Sequence, residues 1–425
     1  MNYIQKLYYN SIPENLRYNF NLSAAVMLLA GLFQGCYLNF YGLIVRQDYH
    51  VGPFWISLVI ASCYLNGFLG LIVSSFAKKG YEHIYAKFIH IFSSIFLILC
   101  PFMTTGPWIC IMLFLLHFTL CYAPLENTVY GYVFPINVRC KLLGYTRSCY
   151  SIAVMLVILA IGSFIQVDVF GIPLWKYLFV LGGIFHIIRG FLFGLFRIPK
   201  LNFERDDNPI GFIKKSFRLI KEEKINIPFI ISGLFYAIAV QGVSTLYPIF
   251  QVDILHFNGR ILSIMAVISA LSITIVYSLL GVLLNGTHPI KAWLWAISFV
   301  IFTPFIFLFV NGFAWWILIL EAFLHSFANA AGEIFWINSL IYLGGKEKIA
   351  EYQALYTFIV GVRSFIAMFA VTFIISYADK ITSNHLLNLK IAYFVLIIVV
   401  ILSFVTCLPV LKMAKKRDAL MTKEN

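Results

Sequence analysis

Ile198-Pro-Lys-Leu-Asn-Phe-Glu-Arg-Asp-Asp-Asn208-Pro-Ile-Gly-Phe212-Ile-Lys-Lys-Ser-Phe-Arg-Leu-Ile-Lys-Glu-Glu-Lys224-Ile-Asn226 divides the sequence in two. Twelve of the chain's charged side chains fall in these 29 residues, including the acidic pair Asp206-Asp207. Asn208-Pro209-Ile-Gly is a turn signal, and Phe212–Lys224 is a basic amphipathic run. On either side the chain is apolar: 61% of the 425 residues are hydrophobic, 12% are charged, and the mean hydropathy is +0.89. A soluble protein carries about 25% charged residues, so a surface this poor in charge needs lipid to cover it. The apolar runs have the length of roughly 20 residues that crosses a hydrocarbon core of about 30 Å. They predict twelve helical spans, near 22–45, 54–76, 84–104, 107–134, 145–167, 176–197, 227–252, 261–284, 291–311, 313–338, 352–377 and 390–411. Six precede the charged stretch and six follow it. The expected fold is therefore an all-α membrane protein: a six-helix bundle over 1–197, a linker over 198–226, a second six-helix bundle over 227–411 and a polar tail over 412–425.

Basic residues orient these spans. Of 31 Lys and Arg, 24 lie on the side that holds both termini and the linker. Arg46, Lys176, Arg260, Lys380 and Lys390 lie on the other side, and Arg189 and Arg363 fall within spans. The positive-inside rule then puts both termini in the cytoplasm of a plasma or inner-membrane protein. It also accounts for the pI of 9.3 without nucleic acid, since no soluble basic domain remains. Residues 1–21 lack a signal-peptide pattern, so the first apolar run is expected to persist as span 1. The eight cysteines form no Cys-x-x-Cys pair, which gives no metal site and no disulfide framework. No catalytic motif and no phosphate-binding glycine loop occurs, so neither an enzyme nor a bound cofactor is expected.

An internal repeat underlies the two groups of spans. Gln34-Gly35 returns as Gln241-Gly242, and Gly52 returns as Gly259, each 207 residues on. Ser57 and Gly80 return as Ser263 and Gly286. His117 and Glu126 of span 4 return as His325 and Glu333 of span 10, and Pro199 and Pro409 close spans 6 and 12. A single match is chance-level; one near-constant offset across the chain indicates duplication.

Ionisable groups at membrane depth cost several kcal/mol and face a partner or a wet cavity. Glu126, Arg189, Glu321, Glu333 and Arg363 are such groups. On an unbroken helix Thr119, Tyr122, Glu126 and Tyr130 share a face, where a carboxylate between phenols suits a cation or a hydrogen-bonding heteroaromatic. A protonated glutamate stitching two helices is the plain alternative. Glu333 reads either as a proton-coupling carboxyl or as an inter-half ion pair, with Arg363 its expected partner. Glu321 and His325 are an i, i+4 pair, and Arg189 lies near enough to the membrane surface to snorkel. Gln34, Tyr37 and Tyr41 form a polar stripe on span 1; Gln241, Ser244 and Thr245 cluster on its mate, span 7. His117 faces away from Glu126 and reads as packing.

Two parallel six-helix halves with a charged linker resemble the major facilitator superfamily, whose solutes bind near the midplane between the halves. The superfamily's loop signature between spans 2 and 3 is reduced here to the basic pair and glycine of Ser75-Phe-Ala-Lys-Lys-Gly80. Glu126-Asn-Thr-Val-Tyr130-Gly-Tyr132, followed by Arg139 and Gly144-Tyr-Thr-Arg147-Ser148, is similar to the reduced folate and thiamine carriers. Gln166, Phe191–Lys200, Phe257-Asn-Gly259 and Tyr352–Phe365 echo the same family, while its Pro-Ser-Glu-Pro element in span 1 is missing and Gln34 and Asn39 stand there instead. The resemblance implies a secondary transporter working by alternating access. Glutamate at the position of Glu126 resembles the thiamine carriers, whereas the folate carrier has arginine there. Thiamine or a related pyrimidine is thus the expected solute, held by Glu126, Tyr122, Tyr130, Gln34, Tyr37, Tyr41, Gln241 and Thr245. Glu333, Arg363, Arg147, Glu321 and His325 are expected to serve gating or coupling, with protons a candidate coupling ion. A folate-like or other organic-anion importer and a proton-coupled drug or metabolite exporter remain open.

Overall fold

The computed structural model describes residues 12–38, 40–41, 44–45, 48–49, 51, 53–161, 167–199, 208–250, 255, 259–283, 287–310, 316–345, 347–381 and 384–424. Asn39, Gly52, Gln166, Asp206, Asp207, Phe257, Asn258 and Gly286 lie outside them, as do the side chains of Ser57, Ser244, Thr245 and Ser263.

The first group of helices is α1 (Arg17–Tyr37), α2 (Pro53–Phe76), α3 (Glu82–Leu99), α4 (Gly106–Thr119), α5 (Ala123–Val133), α6 (Ile136–Ile161) and α7 (Leu174–Phe193). The linker holds α8 (Pro209–Glu222). The second group is α9 (Asn226–Ile249), α10 (Gly259–Leu283), α11 (Pro289–Val300), α12 (Phe302–Phe307), α13 (Ile317–Gly344), α14 (Ile349–Ile381) and α15 (His385–Glu424). With α4–α5 and α11–α12 each counted as one broken span, this is the expected six-plus-six fold. Before α7, a two-stranded ribbon pairs Asp168–Val169 with Ile172–Pro173 through Phe170-Gly171, both at positive φ.

Packing repeats with the sequence. In the first half α1 packs on α6 and α7, α2 on α4, and α3 on α7. Their mates do the same: α9 packs on α14 and α15, α10 on α13, and α11 on α15. The halves meet along α6–α10 and α2–α14, contacts that are themselves mates. Outward faces are apolar, as in the α3 stripe Phe88, Phe92, Ile95 and Leu99, all exposed at helical spacing. Only lipid covers such a face without penalty.

Three expected boundaries shift. Span 4 breaks at Leu120–Tyr122, because Pro124 has no N–H to bond the Leu120 carbonyl four residues back and its ring would clash with that carbonyl in a continuous helix. The uninterrupted face from Thr119 to Tyr130 therefore does not exist; Thr119 hydrogen-bonds back to the Leu115 and Leu116 carbonyls. Span 5 starts at Ile136 rather than 145, after a turn reduced to Phe134-Pro135. There Arg139 Nε and Nη2 donate to the Phe134 and Gly131 carbonyls at 2.8 and 3.2 Å. Pro409 does not end span 12, and α15 runs through the expected tail to Glu424. Asp418 ties that extension to Tyr342 at 2.6 Å and to His288 at 3.0 Å.

At the linker end the halves are in contact. Ile337, Ile341 and Ile349 join the core built on Val129, Tyr130 and Phe134, and the glycine face of α2 at Gly67 lies against Thr357 and Gly361 of α14. The linker helix, capped by Asn208 accepting from Gly211 N–H, inserts Phe212 beside Leu71, Ala350 and Ala354. Lys79 donates across to the Glu347 carbonyl at 2.7 Å; burial pushes its ammonium below the ordinary lysine value, against the pull of Glu351. Towards the other end, the described core residues form separate clusters in each half.

Candidate functional site

The break in span 4 turns the start of α5 into the first half, and Glu126 enters a closed polar centre there. Arg189 Nη2 donates to Glu126 Oε1 at 2.7 Å and Nη1 to Tyr122 OH at 3.0 Å, with the guanidinium over the Tyr122 ring. His90 Nε2 reaches the same Oε1 at 2.9 Å. A carboxylate only accepts, so Nε2 carries the proton and Nδ1 is left to accept from His186 Nε2–H at 3.4 Å. His186 also lies 3.1 Å from Ser93 Oγ, whose own proton goes to the Ile89 carbonyl. Glu126, Arg189, His90 and His186 are all buried. Arg189 does not snorkel, because its cation is neutralised where it stands. Tyr130 is buried among Phe134, Phe193 and Phe196.

A second polar centre joins the halves. Arg147 Nη1 donates to Glu333 Oε1 at 2.7 Å, and Tyr277 OH donates to Glu333 Oε2. One turn along α6, Tyr150 OH donates to Gln34 Oε1, linking α6 to α1. Ser148 seals the contact with α10, donating to the Thr274 carbonyl at 3.0 Å and lying 2.8 Å from Ser278 Oγ. The Gly144–Ser148 element thus supplies both the ion pair and the close seam. Unlike Glu126, this pair is partly open: side-chain exposure is 18% for Arg147 and 34% for Glu333.

Arg363 does not meet Glu333. Its Nη1 donates to the Gly233 carbonyl at 2.9 Å and its plane lies over Trp336, while Arg147 occupies the carboxylate. Glu321 is buried with His325 Nδ1 3.9 Å away, an ion-pair distance rather than a hydrogen bond. Tyr37 packs on Phe33 and His117, and Tyr41 meets the same His117 edge-on. His117 approaches Ser62 and Cys63 and so ties α4 to α2. Gln241 is half-buried on α9. No cluster of three potential metal ligands occurs among the described residues.

Sequence reading did not single out His90, His186, Tyr150 or Tyr277. The spacing His186–Arg189 places both on one face of α7, and that is the one signal available for the buried centre.

The family description of the major facilitator superfamily matches residues 23–368. No curated protein sequence matches this chain. Solved structures do. A major facilitator transporter, FucP, in an outward conformation superposes with a TM-score of 0.71 at 13% identity, over 93% of this chain and 99% of that one. A variant of the fucose:proton symporter FucP of E. coli gives 0.67 at 14% identity, over 92% and 98%. The human organic anion transporter MFSD10 gives 0.73 at 10% identity, over 93% and 100%. At such identities the likeness is one of fold. None of these matches is a folate or thiamine carrier.

Proposed function

The chain belongs to the major facilitator superfamily, and from that premise we propose a secondary active importer whose solute competes for the Arg147–Glu333 pair. The chain is a multi-pass membrane transporter of small molecules and not an enzyme. The observation that carries the proposal is the placement of a partly exposed, hydroxyl-flanked ion pair between the halves, beside seams of small residues. Alternating access requires such a contact to break, and a solute that replaces one partner drives the change by its differential affinity for the two states. With the linker end cytoplasmic, as the basic residues favour, that end is closed and solute enters from outside.

Glu333 is the more exposed partner, which favours a cationic or hydrogen-bond-donating solute over an anion. Gln34, Tyr150 and Tyr277 offer the neutral donors and acceptors around it. The carrier-like motifs make thiamine the first solute to try. Its anchor would be Glu333 rather than Glu126, whose charge already meets Arg189 and His90. A proton competing for the same carboxylate would couple transport to a pH gradient.

Proteoliposome uptake of radiolabelled thiamine, with and without an inward proton gradient, tests this. Saturable uptake that falls at least tenfold in Glu333→Gln, and persists in a Glu321→Gln control, is the expected result. Uptake indifferent to Glu333→Gln would remove the assigned site. A folate that competes in its place would move the anchor to Arg147 and favour the organic-anion reading.

A further inference from the structure

At the linker end, where α7 runs out and the turn between α5 and α6 faces the end of α13, the structure opens a cleft of about 850 Å3. Among the described residues, Arg139, Arg197 and Arg417 line it and no aspartate or glutamate does. Asn15 adds an amide, the Asn19 amide pairs with the backbone carbonyl and N–H of Arg197 at 2.9 and 3.0 Å, and the remaining wall is largely apolar and aromatic.

The three cations are differently engaged. Arg139 is 4% exposed, and its Nε and Nη2 meet only backbone carbonyls. Its Nη1 has no hydrogen-bond partner, and no carboxylate among the described residues pairs with it. A buried cationic N–H left in that condition is costly, and an anionic acceptor in the cleft would relieve it. Arg197 is exposed and stacks its guanidinium 3.9 Å from the centre of the Tyr18 ring, which presents a flat, pre-oriented fork. Arg417 is partly occupied by Glu223 at 3.4 Å and by the Leu343 carbonyl at 3.3 Å.

We propose that this cleft is a binding site for a phosphate-bearing ligand, held by Arg139 and Arg197 with its organic part against the apolar wall. Guanidinium forks match phosphate oxygens two at a time, whereas a cleft lined by three arginines repels cations. The position suits either of two sources, the headgroup of an anionic phospholipid at the membrane surface or a soluble phosphate ester. The lining comes from both halves: Arg139 and Arg197 precede the linker, while Ile341, Tyr342 and Arg417 follow it. A ligand here bridges the halves at their closed end and favours that state over the one in which the end opens. The cleft is then an effector site separate from the Arg147–Glu333 pair, coupled to it through the same movement.

Purified full-length protein in phosphatidylcholine nanodiscs, with and without phosphatidylglycerol, provides the lipid arm. Detergent-solubilised protein titrated with glycerol 1-phosphate provides the soluble arm, and thermal unfolding is read in both. Stabilisation saturating with phosphatidylglycerol alone identifies a lipid, and saturation with glycerol 1-phosphate identifies a soluble ester. Either effect should need about tenfold more ligand in Arg197→Gln, an exposed position with little risk to folding, and in Arg139→Lys. Lys214→Gln, on α8 outside the cleft, should behave as wild type. No stabilisation in either arm, or stabilisation unchanged by both arginine substitutions, would overturn the site.

Discussion

Glu126 and Glu333 occupy equivalent positions in the duplicated chain, 207 residues apart, yet the two halves use them differently. Glu126 is enclosed in its own half, with a side chain 5% exposed, held by Arg189 and His90. Glu333 is 34% exposed and held by a residue of the opposite half. The difference begins with the partners. The first half supplies histidines on α3 and α7 and an arginine on α7, which converge on α5. The second carboxylate is met instead by Arg147 on α6 and Tyr277 on α10. A buried pair resists separation, because either charge left alone pays desolvation. A wetter pair is weak and therefore able to open and close within a transport cycle. One copy of a repeated carboxylate staples a bundle, and the other joins two bundles through a pair that the proposed cycle would open.

The largest effect expected from this contrast is in the first half. Arg189→Gln leaves a buried carboxylate with only His90, and should cost about 3–5 kcal/mol of stability. Thermal unfolding in detergent would read it as a large drop in midpoint. The double change Arg189→Gln with Glu126→Gln should recover most of the loss, since no charge is then stranded. An unaltered midpoint in Arg189→Gln would break the distinction between the two centres.

An intermediate effect separates packing within a half from packing between halves. A side chain at Gly31 would place Cβ 2.2 Å from the Tyr150 carbonyl oxygen, inside the α1–α6 contact, whereas one at Gly67 would stand 2.6 Å from the Thr357 carbonyl, between halves. Gly31→Val should destabilise the protein by about 1–3 kcal/mol. Gly67→Val should instead push the linker end apart. Labelling of a cysteine introduced at Ala354, in a background lacking the native cysteines, should then accelerate more than the unfolding midpoint falls. Equal responses of the two variants in both measurements would remove the distinction.

The smallest stability effect is expected at the Arg147–Glu333 pair. Arg147→Gln or Glu333→Gln should cost no more than about 1 kcal/mol, because the pair is partly solvated. Transport should nevertheless fall, and the linker end should become more accessible to the same cysteine probe. The exchange Arg147→Glu with Glu333→Arg should restore part of the closed population. A stability loss as large as that of Arg189→Gln would mean that the second pair is a staple too.

Much of this fold is legible in the sequence because lipid imposes simple rules. A run of apolar residues long enough to span must be helical, basic residues gather on one side, and a duplicated gene leaves a constant offset. The amphipathic face over Phe212–Lys224 is likewise legible locally, whereas Asn208, which reads as a turn signal, caps the helix Pro209–Glu222. The broken span 4 was readable in principle at Pro124, but its long apolar flanks outweighed that signal. The site was less legible. Glu126, Arg147, Glu333 and Arg363 stood out because membrane depth makes charge conspicuous, yet depth does not reveal rotation or neighbours. Charge alone pairs Arg363 with Glu333, and only the fold shows that its guanidinium meets the Gly233 carbonyl and the Trp336 ring instead.

The sequence by itself therefore determined the number of spans, their grouping and the identity of the charged residues inside them, since each follows from local hydropathy and from one repeated spacing. Tertiary structure alone decided which charge answers which. A salt bridge depends on how helices far apart in sequence are rotated about their axes, and that rotation is fixed by packing across the whole bundle.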